Sequence, residues 1–449
     1  MPTVQIRGGP SELRQTVTLR ERMDNAGVPG LSVAVMVDGK LWAEGFGVAD
    51  VKTGTPVTSD TLFQAASISK PVASIGALRL VQDGAMTLDG DIHDALTSWT
   101  IPSSDAIPTT DPDAPRVTLR RLLSHTAGVN VHGFRGYDRG GPIPTSIGVL
   151  DGKGNSDPVI VATVPGAEHR YSGGGYTIAQ VAMVDASSFG DFPTLMSSLV
   201  LEPLGMQRST FRQVLPSDLQ VHAATGYLSD KSEVAGRSRA HPEMAAAGLW
   251  TTPTDLAKCF VSLQPGLDGI DGPVLTADSV EQMFKYEGPI RYGLGLSIGS
   301  ERYGHGGGNM GFKCVANFFK DDASGVVIMS NSDKGWNVNA DVLRTVFSNL
   351  GWSGLEPLEK TVIEIGRGQL KRCTGSYEIA GYGTVKMRAN DAFDGLNCTL
   401  PDGTEFRLFP ESESRFFDPD DGVPIDFNLD APGPASTFKW SGSIATRVP

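Results

Sequence analysis

The chain has no hydrophobic run long enough to cross a membrane and no excess of positive charge. Its 449 residues include 38 Lys and Arg against 51 Asp and Glu, a formal net charge of −13 at pH 7. Phosphate binding needs a basic face, so a nucleic-acid partner is not expected, and neither is a membrane. The first ten residues contain no apolar segment of a secretory signal, so the sequence predicts a cytoplasmic protein.

Cysteine is also scarce, and several motifs of hydrolases and cofactor enzymes are missing. Cys259, Cys314, Cys373 and Cys398 are scattered, with no C-x-x-C pair and no zinc-finger spacing. We therefore expect reduced thiols, no metal and no cofactor. The sequence lacks the H-E-x-x-H motif of zinc peptidases, which excludes that kind of hydrolytic site.

The first three quarters of the chain have the pattern of an α+β domain. Apolar runs at Leu31–Val37 and Leu41–Gly47 flank Asp38-Gly39-Lys40, which predicts a β-hairpin. Helical patterns follow, and strand-like runs return late to complete an antiparallel sheet. These late runs are Tyr292–Ile298, Phe312–Phe319 and Gly325–Ser330.

After Trp352 the pattern changes to short segments in which apolar and polar residues alternate. Glycine or proline separates these segments at intervals of roughly ten residues, which predicts an antiparallel sandwich or barrel. We place the boundary near Glu356–Gly366, so that residues 1–355 and 366–449 form two domains. The C-terminal domain carries no catalytic pattern, and we expect it to be structural or a lid. The segments are Thr384–Arg388, Leu396–Leu400, Phe406–Leu408, Val423–Leu429 and Phe438–Trp440.

Ser67 and Lys70 are the first candidate catalytic residues. A serine hydroxyl is a weak nucleophile until a base takes its proton. Residues three apart share a face of a helix, so the Lys70 amine is expected beside the Ser67 hydroxyl. Lysine can act as a base where burial or nearby positive charge favours its neutral form. The apolar run Val72–Val81 predicts a buried helix that carries this lysine inward.

The start of this helix is predicted from Pro71. Proline is tolerated near the first turn of a helix and is damaging further in. The helix should therefore begin close to Ser67. The backbone N–H of Ser67 then stays free to donate to an oxyanion.

Tyr171 is the next candidate, in the glycine-rich segment Val164–Tyr176. A phenol beside a lysine cation can lose its proton and act as a general base or proton relay. By contrast, His125 follows a short helical pattern, and we expect it to be a helix-end residue bonded to the backbone.

The segment His305–Gly311 matches the spacing G-x-G-x-x-G, but a strand rather than a helix follows it. This excludes the dinucleotide-binding interpretation. Glycines on a strand edge allow a substrate backbone to approach closely, which makes Gly306 and Gly307 candidate substrate-binding residues. The Gly308 N–H is expected to complete an oxyanion hole with that of Ser67. For His305 three roles stay open: orienting substrate, tuning Tyr171, or filling space.

Three motifs in this order resemble those of the penicillin-recognising serine hydrolases, which include class C β-lactamases, DD-peptidases, D-aminopeptidases and related esterases. Ser67–Lys70 resembles the first motif of the family, Tyr171–Gly173 its Tyr-x-Asn motif, and His305–Gly307 a variant of its Lys-Thr-Gly strand. The resemblance covers residues 13–352. The C-terminal sheet resembles the lipocalin-like barrels of some D-aminopeptidase relatives.

This resemblance implies an α/β sandwich with an all-α subdomain and an active site between the two. It also implies that Ser67 attacks a carbonyl carbon, that Lys70 and Tyr171 manage the proton, and that an acyl-enzyme forms. His305 is expected at this site, and Gly308 in its oxyanion hole.

Two departures from the family pattern bear on the substrate. Gly173 stands where the family often has an asparagine, whose side-chain amide contacts the substrate. Gly173 is therefore a candidate substrate-binding residue that lacks this amide donor. His305 replaces a permanent cation. Both favour a hydrolase of small esters, amides or short peptides over a dedicated β-lactamase.

Three other functions stay open: an acyltransferase of secondary metabolism that uses the same acyl-Ser67, a β-lactamase, and a penicillin-binding type of protein that acylates without turnover. The expected partner is a small-molecule ester, amide or short peptide. Self-association into a homo-oligomer is left open.

Overall fold

The computed structural model describes residues 4–7, 18–102, 104, 115–286, 290–355, 358–379, 382–392, 394–401, 403, 405–419, 422–440 and 443–449. They form two compact units, Met23–Asn339 and, together, Met1–Arg22 with Ala340–Pro449.

The helices of the described chain, in order, are α1 (Leu19–Ala26), α2 (Ser69–Gln82), α3 (Leu119–Leu123), α4 (Ser146–Leu150), α5 (Gly173–Asp185), α6 (Phe192–Met196), α7 (Ser217–Gln220), α8 (Met244–Ala247), α9 (Pro253–Val261), α10 (Gln264–Leu267), α11 (Ala277–Phe284), α12 (Gly335–Leu350) and α13 (Arg367–Arg372). Short 3-10 turns cover Ala66–Ile68 and Ile92–Asp94, and a π-helical turn covers Ser197–Leu201. Among the described residues, none of these helices combines the length and the apolar character required to cross a bilayer.

The strands, in order, are β1 (Val4–Arg7), β2 (Gly30–Val37), β3 (Lys40–Asp50), β4 (Thr55–Pro56), β5 (Phe63–Gln64), β6 (Tyr137–Asp138), β7 (Arg239–Ala240), β8 (Trp250–Thr251), β9 (Ser297–Ile298), β10 (Arg302–Asn309), β11 (Phe312–Phe319), β12 (Gly325–Ser330), β13 (Leu358–Thr361), β14 (Gly375–Ile379), β15 (Gly383–Ala389), β16 (Leu396–Thr399), β17 (Glu405–Pro410), β18 (Arg415–Phe417), β19 (Pro424–Phe427), β20 (Thr437–Trp440) and β21 (Ser443–Val448).

One antiparallel sheet organises the first unit, in the order β4-β3-β2-β12-β11-β10-β9. The predicted hairpin joins β2 to β3, with Asp38 at φ 48° and Gly39 at φ 74°, the left-handed pair that a tight Asp-Gly turn requires. The late strands β12, β11 and β10 then complete the sheet next to β2. The α+β prediction, with an antiparallel sheet completed late and helices inserted between, is confirmed.

One predicted strand is wrong in extent. The run Tyr292–Ile298 was expected to be extended throughout, but only β9 at its end is a strand. Gly295 takes a φ of 85°, and the N–H of Leu294 donates to the carbonyl oxygen of Met283. Two of the seven residues in this run are glycines, and the chain turns back so that Tyr292 forms an isolated β-bridge with Ser297.

The helices of the first unit pack around α2, which is buried over most of its surface. Gly76 on α2 lies against the side chains of Met183 and Met196, from α5 and α6. Pro71 is the third residue of α2, where its missing N–H removes no helical hydrogen bond. A helix buried on all sides explains why its sequence is apolar without a polar face.

In the second unit, β14 to β21 form a closed antiparallel barrel, which confirms the prediction for the C-terminal segments. Side chains including Tyr377, Met387, Leu408 and Phe416 fill its interior. In the same unit, β1 pairs in parallel with β13. The compact units divide between Asn339 and Ala340, within α12, whereas the predicted domain limits of 1–355 and 366–449 stay a prediction.

Candidate active site

Ser67 lies in the turn that joins the short strand β5 to the buried helix α2. The first residue of this turn is Ala66. Its φ of 48° is unusual for a residue with a Cβ atom and indicates local backbone strain. Hydrogen bonds on both sides hold this turn: the N–H of Ala65 donates to the Leu249 carbonyl, and Ser69 Oγ accepts from the Leu249 N–H. The nucleophile candidate therefore sits on a fixed turn at a helix start, as the position of Pro71 predicts.

Lys70 points from the first turn of α2 towards Ser67. Its Nζ donates to Ser67 Oγ over 3.1 Å and to the carbonyl oxygen of Ala246 over 2.9 Å. The side chain is almost fully buried, at 2% exposure. The expected contact between Ser67 and Lys70 is therefore present. The hydrogen bond to the Ala246 carbonyl holds the amine between the Ser67 hydroxyl and α8.

Tyr171 approaches this pair from the loop before α5. Its ring centroid is 4.9 Å from Lys70 Nζ. The next residue, Ser172, caps α5 by accepting the N–H of Gly175 and donating to the carbonyl of Val131. Within the described part of the chain, the Tyr171 hydroxyl has no hydrogen-bond partner. The loop is thus anchored at the residue after Tyr171, while the phenol itself remains available.

The ring of His125 packs against the ring of Tyr171, with 4.1 Å between the two centroids. It follows α3 with a φ of 61°, and its Nδ1 accepts the backbone N–H of Ser172 over 3.0 Å. Burial lowers the pKa of His125 well below its ordinary value, and the charge of Lys70 adds to this effect. As predicted, it is a helix-end residue bonded to backbone, and it holds the tyrosine loop as a neutral ring.

His305 is also neutral in this site. Its Nδ1 donates to the Gly306 carbonyl, and its Nε2 accepts the hydroxyl of Tyr292 over 3.0 Å. Burial, followed by the nearby charge of Lys70, lowers the pKa of His305 to about 3. Its ring centroid lies 6.2 Å from that of Tyr171. These surroundings do not suit a cationic contact between His305 and substrate, and the three roles named from the sequence stay open.

The pH dependence of stability tests this description of His305. Its pKa in the folded chain is below the ordinary 6.5, so the unfolded chain binds the proton more readily. The contribution of His305 to the free energy of unfolding is therefore fully present above pH 6.5 and decreases as the pH falls towards about 3. We expect His305→Gln, which keeps an acceptor for Tyr292, to flatten the pH slope of the free energy of unfolding by about 1.4 kcal/mol per pH unit.

Urea unfolding of both proteins at pH 6.5, 5.5 and 4.5 measures this slope. Comparison with the parent chain cancels the other buried groups, including Glu243, whose pKa is raised by burial to about 8 and which acts in the opposite direction. Parallel curves for the two proteins would show that His305 does not titrate as described.

The glycines of β10 bring this strand against the Ser67 turn. A Cβ atom on Gly307 would overlap the Ala65 carbonyl oxygen and lie 2.6 Å from Cys314 Sγ and 3.2 Å from the backbone N of Ser67. Gly306 and Gly308 face the opposite side of the sheet, where a Cβ on either would approach the Trp336 ring. Gly307 is thus the position at which close approach of two backbones requires glycine.

The strand register also orients the N–H of Gly308. A two-residue turn makes Asn309 and Phe312 a hydrogen-bonded pair, so the preceding pair, Gly308 with Lys313, is not hydrogen-bonded. The N–H of Gly308 therefore points away from β11. In the described structure β9 pairs only with Tyr303 and Gly304 of β10, so Gly308 has no strand neighbour on that side.

We expect Gly307→Ala to lower kcat/KM for an ester by more than tenfold and the free energy of unfolding by roughly 1–3 kcal/mol, since a backbone atom must move to admit the methyl group. Gly140→Ala is the matched control, because a Cβ there meets nothing within 4 Å. Ester kinetics and urea unfolding of the three proteins measure both effects. Equal behaviour of the two variants would refute the close approach.

Gly173 lies beside Tyr171 but has no room for a side chain. Its N–H donates to the carbonyl oxygen of His132 over 2.9 Å, and its carbonyl accepts the Thr177 hydroxyl. A Cβ on Gly173 would lie 2.9 Å from the Phe134 ring. The Phe134 ring thus occupies the space that a side chain at position 173 would need. Both backbone groups of Gly173 are already hydrogen-bonded within the protein, so neither is available to a substrate.

Three features of the site have no motif in the sequence. They are the hydroxyl of Tyr292, the carbonyl of Ala246 and the ring of His132, whose centroid is 5.0 Å from that of Tyr171. The chain has seven histidines in all. Four of them surround Tyr171 or Tyr292 in the fold, a grouping that no spacing along the sequence signals. These four are His125, His132, His169 and His305.

No group of three or more histidine, cysteine or carboxylate side chains suited to a metal ion occurs in the described ranges.

Comparison with known proteins identifies the family. The model of the Beta-lactamase family matches residues 17–346. The chain belongs to the Beta-lactamase family. The resemblance inferred from the three motifs is thereby confirmed.

Curated relatives within the Beta-lactamase family have different activities. Esterase EstB of Burkholderia gladioli is 29% identical over 190 residues, 40% of this chain and 46% of that protein. A Beta-lactamase of Yersinia enterocolitica is 28% identical over 216 residues, 47% of this chain and 49% of that protein. Penicillin-binding protein 4 of Amycolatopsis lactamdurans is 36% identical over 102 residues, 23% of this chain and 25% of that protein. The chain spans about half the length of these relatives or less.

Solved structures extend the likeness over the whole chain. A penicillin-binding protein homologue from Pyrococcus abyssi, described as octameric, has a TM-score of 0.64 and 21% identity, and the match covers 96% of this chain and 98% of that one. SurE with D-Leu has a TM-score of 0.58 and 23% identity, and the match covers 96% and 97%. At these identities the likeness shows the Beta-lactamase-type fold alone.

Proposed function

We propose that this member of the Beta-lactamase family is a serine hydrolase that forms an acyl-enzyme on Ser67 and hydrolyses small esters or amides. The observation that carries the proposal is the 3.1 Å contact between Ser67 Oγ and the buried Lys70 Nζ. The phenol of Tyr171, whose ring lies 4.9 Å from the same Nζ, supports it.

In the proposed reaction, Ser67 Oγ attacks the substrate carbonyl carbon while its proton passes to the Lys70–Tyr171 pair. The carbonyl oxygen becomes an oxyanion that accepts from the N–H groups of Ser67 and Gly308. The C–O or C–N bond to the leaving group then breaks, and the pair returns the proton to that group. Water attacks the acyl-Ser67 ester in the second half and releases the acid.

Ester or amide substrates are proposed over β-lactams because of Gly173 and His305. The space beside Gly173 is filled by Phe134, so no amide donor stands where the family pattern has asparagine. His305 is neutral, so it offers no permanent cation to a carboxylate on a β-lactam nucleus. The match to esterase EstB agrees with this preference.

A pre-steady-state time course with p-nitrophenyl butyrate and with nitrocefin tests the proposal. We expect a burst and turnover on the ester, with little hydrolysis of nitrocefin. Mass spectrometry of the quenched protein should find one butyryl group, on the peptide that contains Ser67. Rapid nitrocefin hydrolysis would favour a β-lactamase, and an acyl group on any other residue would refute the assignment of the nucleophile.

We also propose that the chain self-associates. The support is the fold likeness over 96% of the chain to a homologue described as octameric. Light scattering after size-exclusion chromatography is expected to give a mass several times that of one chain. The mass of a single chain at micromolar concentration would contradict this.

A further inference from the structure

A polar cleft of about 630 Å³ lies beside the loop that carries Tyr171. Three segments line it: residues 130–135, residues 155–157 and Arg170. It belongs entirely to the first compact unit. The cleft is open to solvent and large enough for a substituent of a small substrate.

The cleft adjoins the candidate active site directly. Arg170 immediately precedes Tyr171, and its N–H donates to the His125 carbonyl over 2.7 Å. His132 also lines the cleft: its ring centroid is 5.0 Å from that of Tyr171, and its carbonyl oxygen accepts the Gly173 N–H. The same backbone that positions the phenol therefore forms two walls of the cleft.

The charged side chains of the cleft have a net positive charge, in a chain whose formal net charge is −13. Arg135 and Arg170 contribute cations and Asp157 an anion. Neither guanidinium group has a hydrogen-bond or ion-pair partner among the described residues, and Asp157 pairs with neither. An arginine without a partner retains all its donors for a planar anion.

We propose that Arg135 and Arg170 form a subsite that binds a carboxylate carried by the substrate, which rests on the proposed serine hydrolase function. The acyl-enzyme chemistry at Ser67 does not require such a group. His305 supplies no cation to the site, and the arginine pair offers one beside the loop of Tyr171. The preferred substrates are thus esters or amides with an anionic substituent some bonds from the reacting carbonyl.

The test uses two matched pairs of esters. Mono-p-nitrophenyl adipate carries a carboxylate on the acyl chain, and methyl p-nitrophenyl adipate is its neutral counterpart. 4-Carboxyphenyl butyrate carries the carboxylate on the leaving group, and its methyl ester is the neutral counterpart. Affinity is measured by calorimetry on Ser67→Ala, so that binding is determined without turnover, and kcat/KM is measured on the chain with Ser67 intact.

We expect one anionic ester to bind roughly tenfold or more tightly than its neutral partner, since a charge-assisted hydrogen bond is stronger than a neutral one. Arg135→Gln with Arg170→Gln should remove this preference, so that the ratio of the two affinities falls to about one. Arg212→Gln, an exposed arginine elsewhere in the same unit, is the control for net charge and should retain the preference.

Equal affinity for charged and neutral esters in both pairs would overturn the subsite, and so would a preference that survives loss of both arginines. These outcomes are separate from failure of the proposed function. Ser67-dependent hydrolysis of the neutral esters without charge preference would retain the hydrolase and remove the subsite. An arginine-dependent binding preference without turnover would retain the subsite and remove the hydrolase.

Discussion

Ser67→Ala is expected to abolish the burst with p-nitrophenyl butyrate and to lower kcat by at least about 10³-fold, to the level that binding and oxyanion donors alone sustain. No other hydroxyl group hydrogen-bonds Lys70 Nζ in the described structure, so no second nucleophile takes over. The substitution should leave folding intact. Lys70 keeps its bond to the Ala246 carbonyl, and a methyl group fits the space of the hydroxymethyl group.

Thermal unfolding and ester kinetics of this variant are measured together. Ser187→Ala is the matched control, because Ser187 lies past the end of α5 and its hydroxyl donates only to the local Val184 carbonyl. Both variants should unfold near the temperature of the parent chain, and only Ser67→Ala should lose turnover. Retention of the burst would place the acyl group elsewhere and end the proposal for Ser67.

Replacement of Lys70 is expected to lower kcat by roughly 10²–10⁴-fold, the contribution usual for a positioned general base. Lys70→Met keeps the length of the side chain and removes the amine. Lys70→Arg keeps a positive charge near Ser67 and Tyr171 but cannot release a proton at working pH. If proton transfer is the role of Lys70, both variants lose activity to a similar degree.

The comparison separates proton transfer from charge. Activity in Lys70→Arg close to that of the parent would show that Lys70 acts only through its positive charge, for example on the Tyr171 phenol. Values of kcat and kcat/KM for the ester, measured on the parent and on both variants, make this comparison. Urea unfolding is the control, because the Ala246 carbonyl loses its donor in that variant.

Short-range patterns in the sequence predicted what depends on neighbours along the chain. Asp38-Gly39 specifies the β2–β3 turn, Pro71 marks the helix start, and alternating residues after Trp352 specify barrel strands. The contact between Ser67 and Lys70 follows from helical spacing for the same reason.

What the sequence could not predict depends on contacts between distant segments. Phe134 fills the space beside Gly173, and Ala246 accepts from Lys70 across 176 positions. The neutrality of His305 arises from burial and from Tyr292, which no local pattern connects to it. Tyr292 itself lies in a run that predicts a regular strand, whereas the chain turns at Gly295 and the Tyr292 hydroxyl bonds to His305.

The closure of the C-terminal barrel has a practical consequence for shortened versions of the chain. β21 pairs with β14 on one side and with β20 on the other, so every strand of the barrel has two neighbours. Removal of the last dozen residues would leave two exposed edges with unpaired N–H and C=O groups, which favour aggregation by edge-to-edge pairing. Such versions are better designed to retain the barrel whole or to omit it whole.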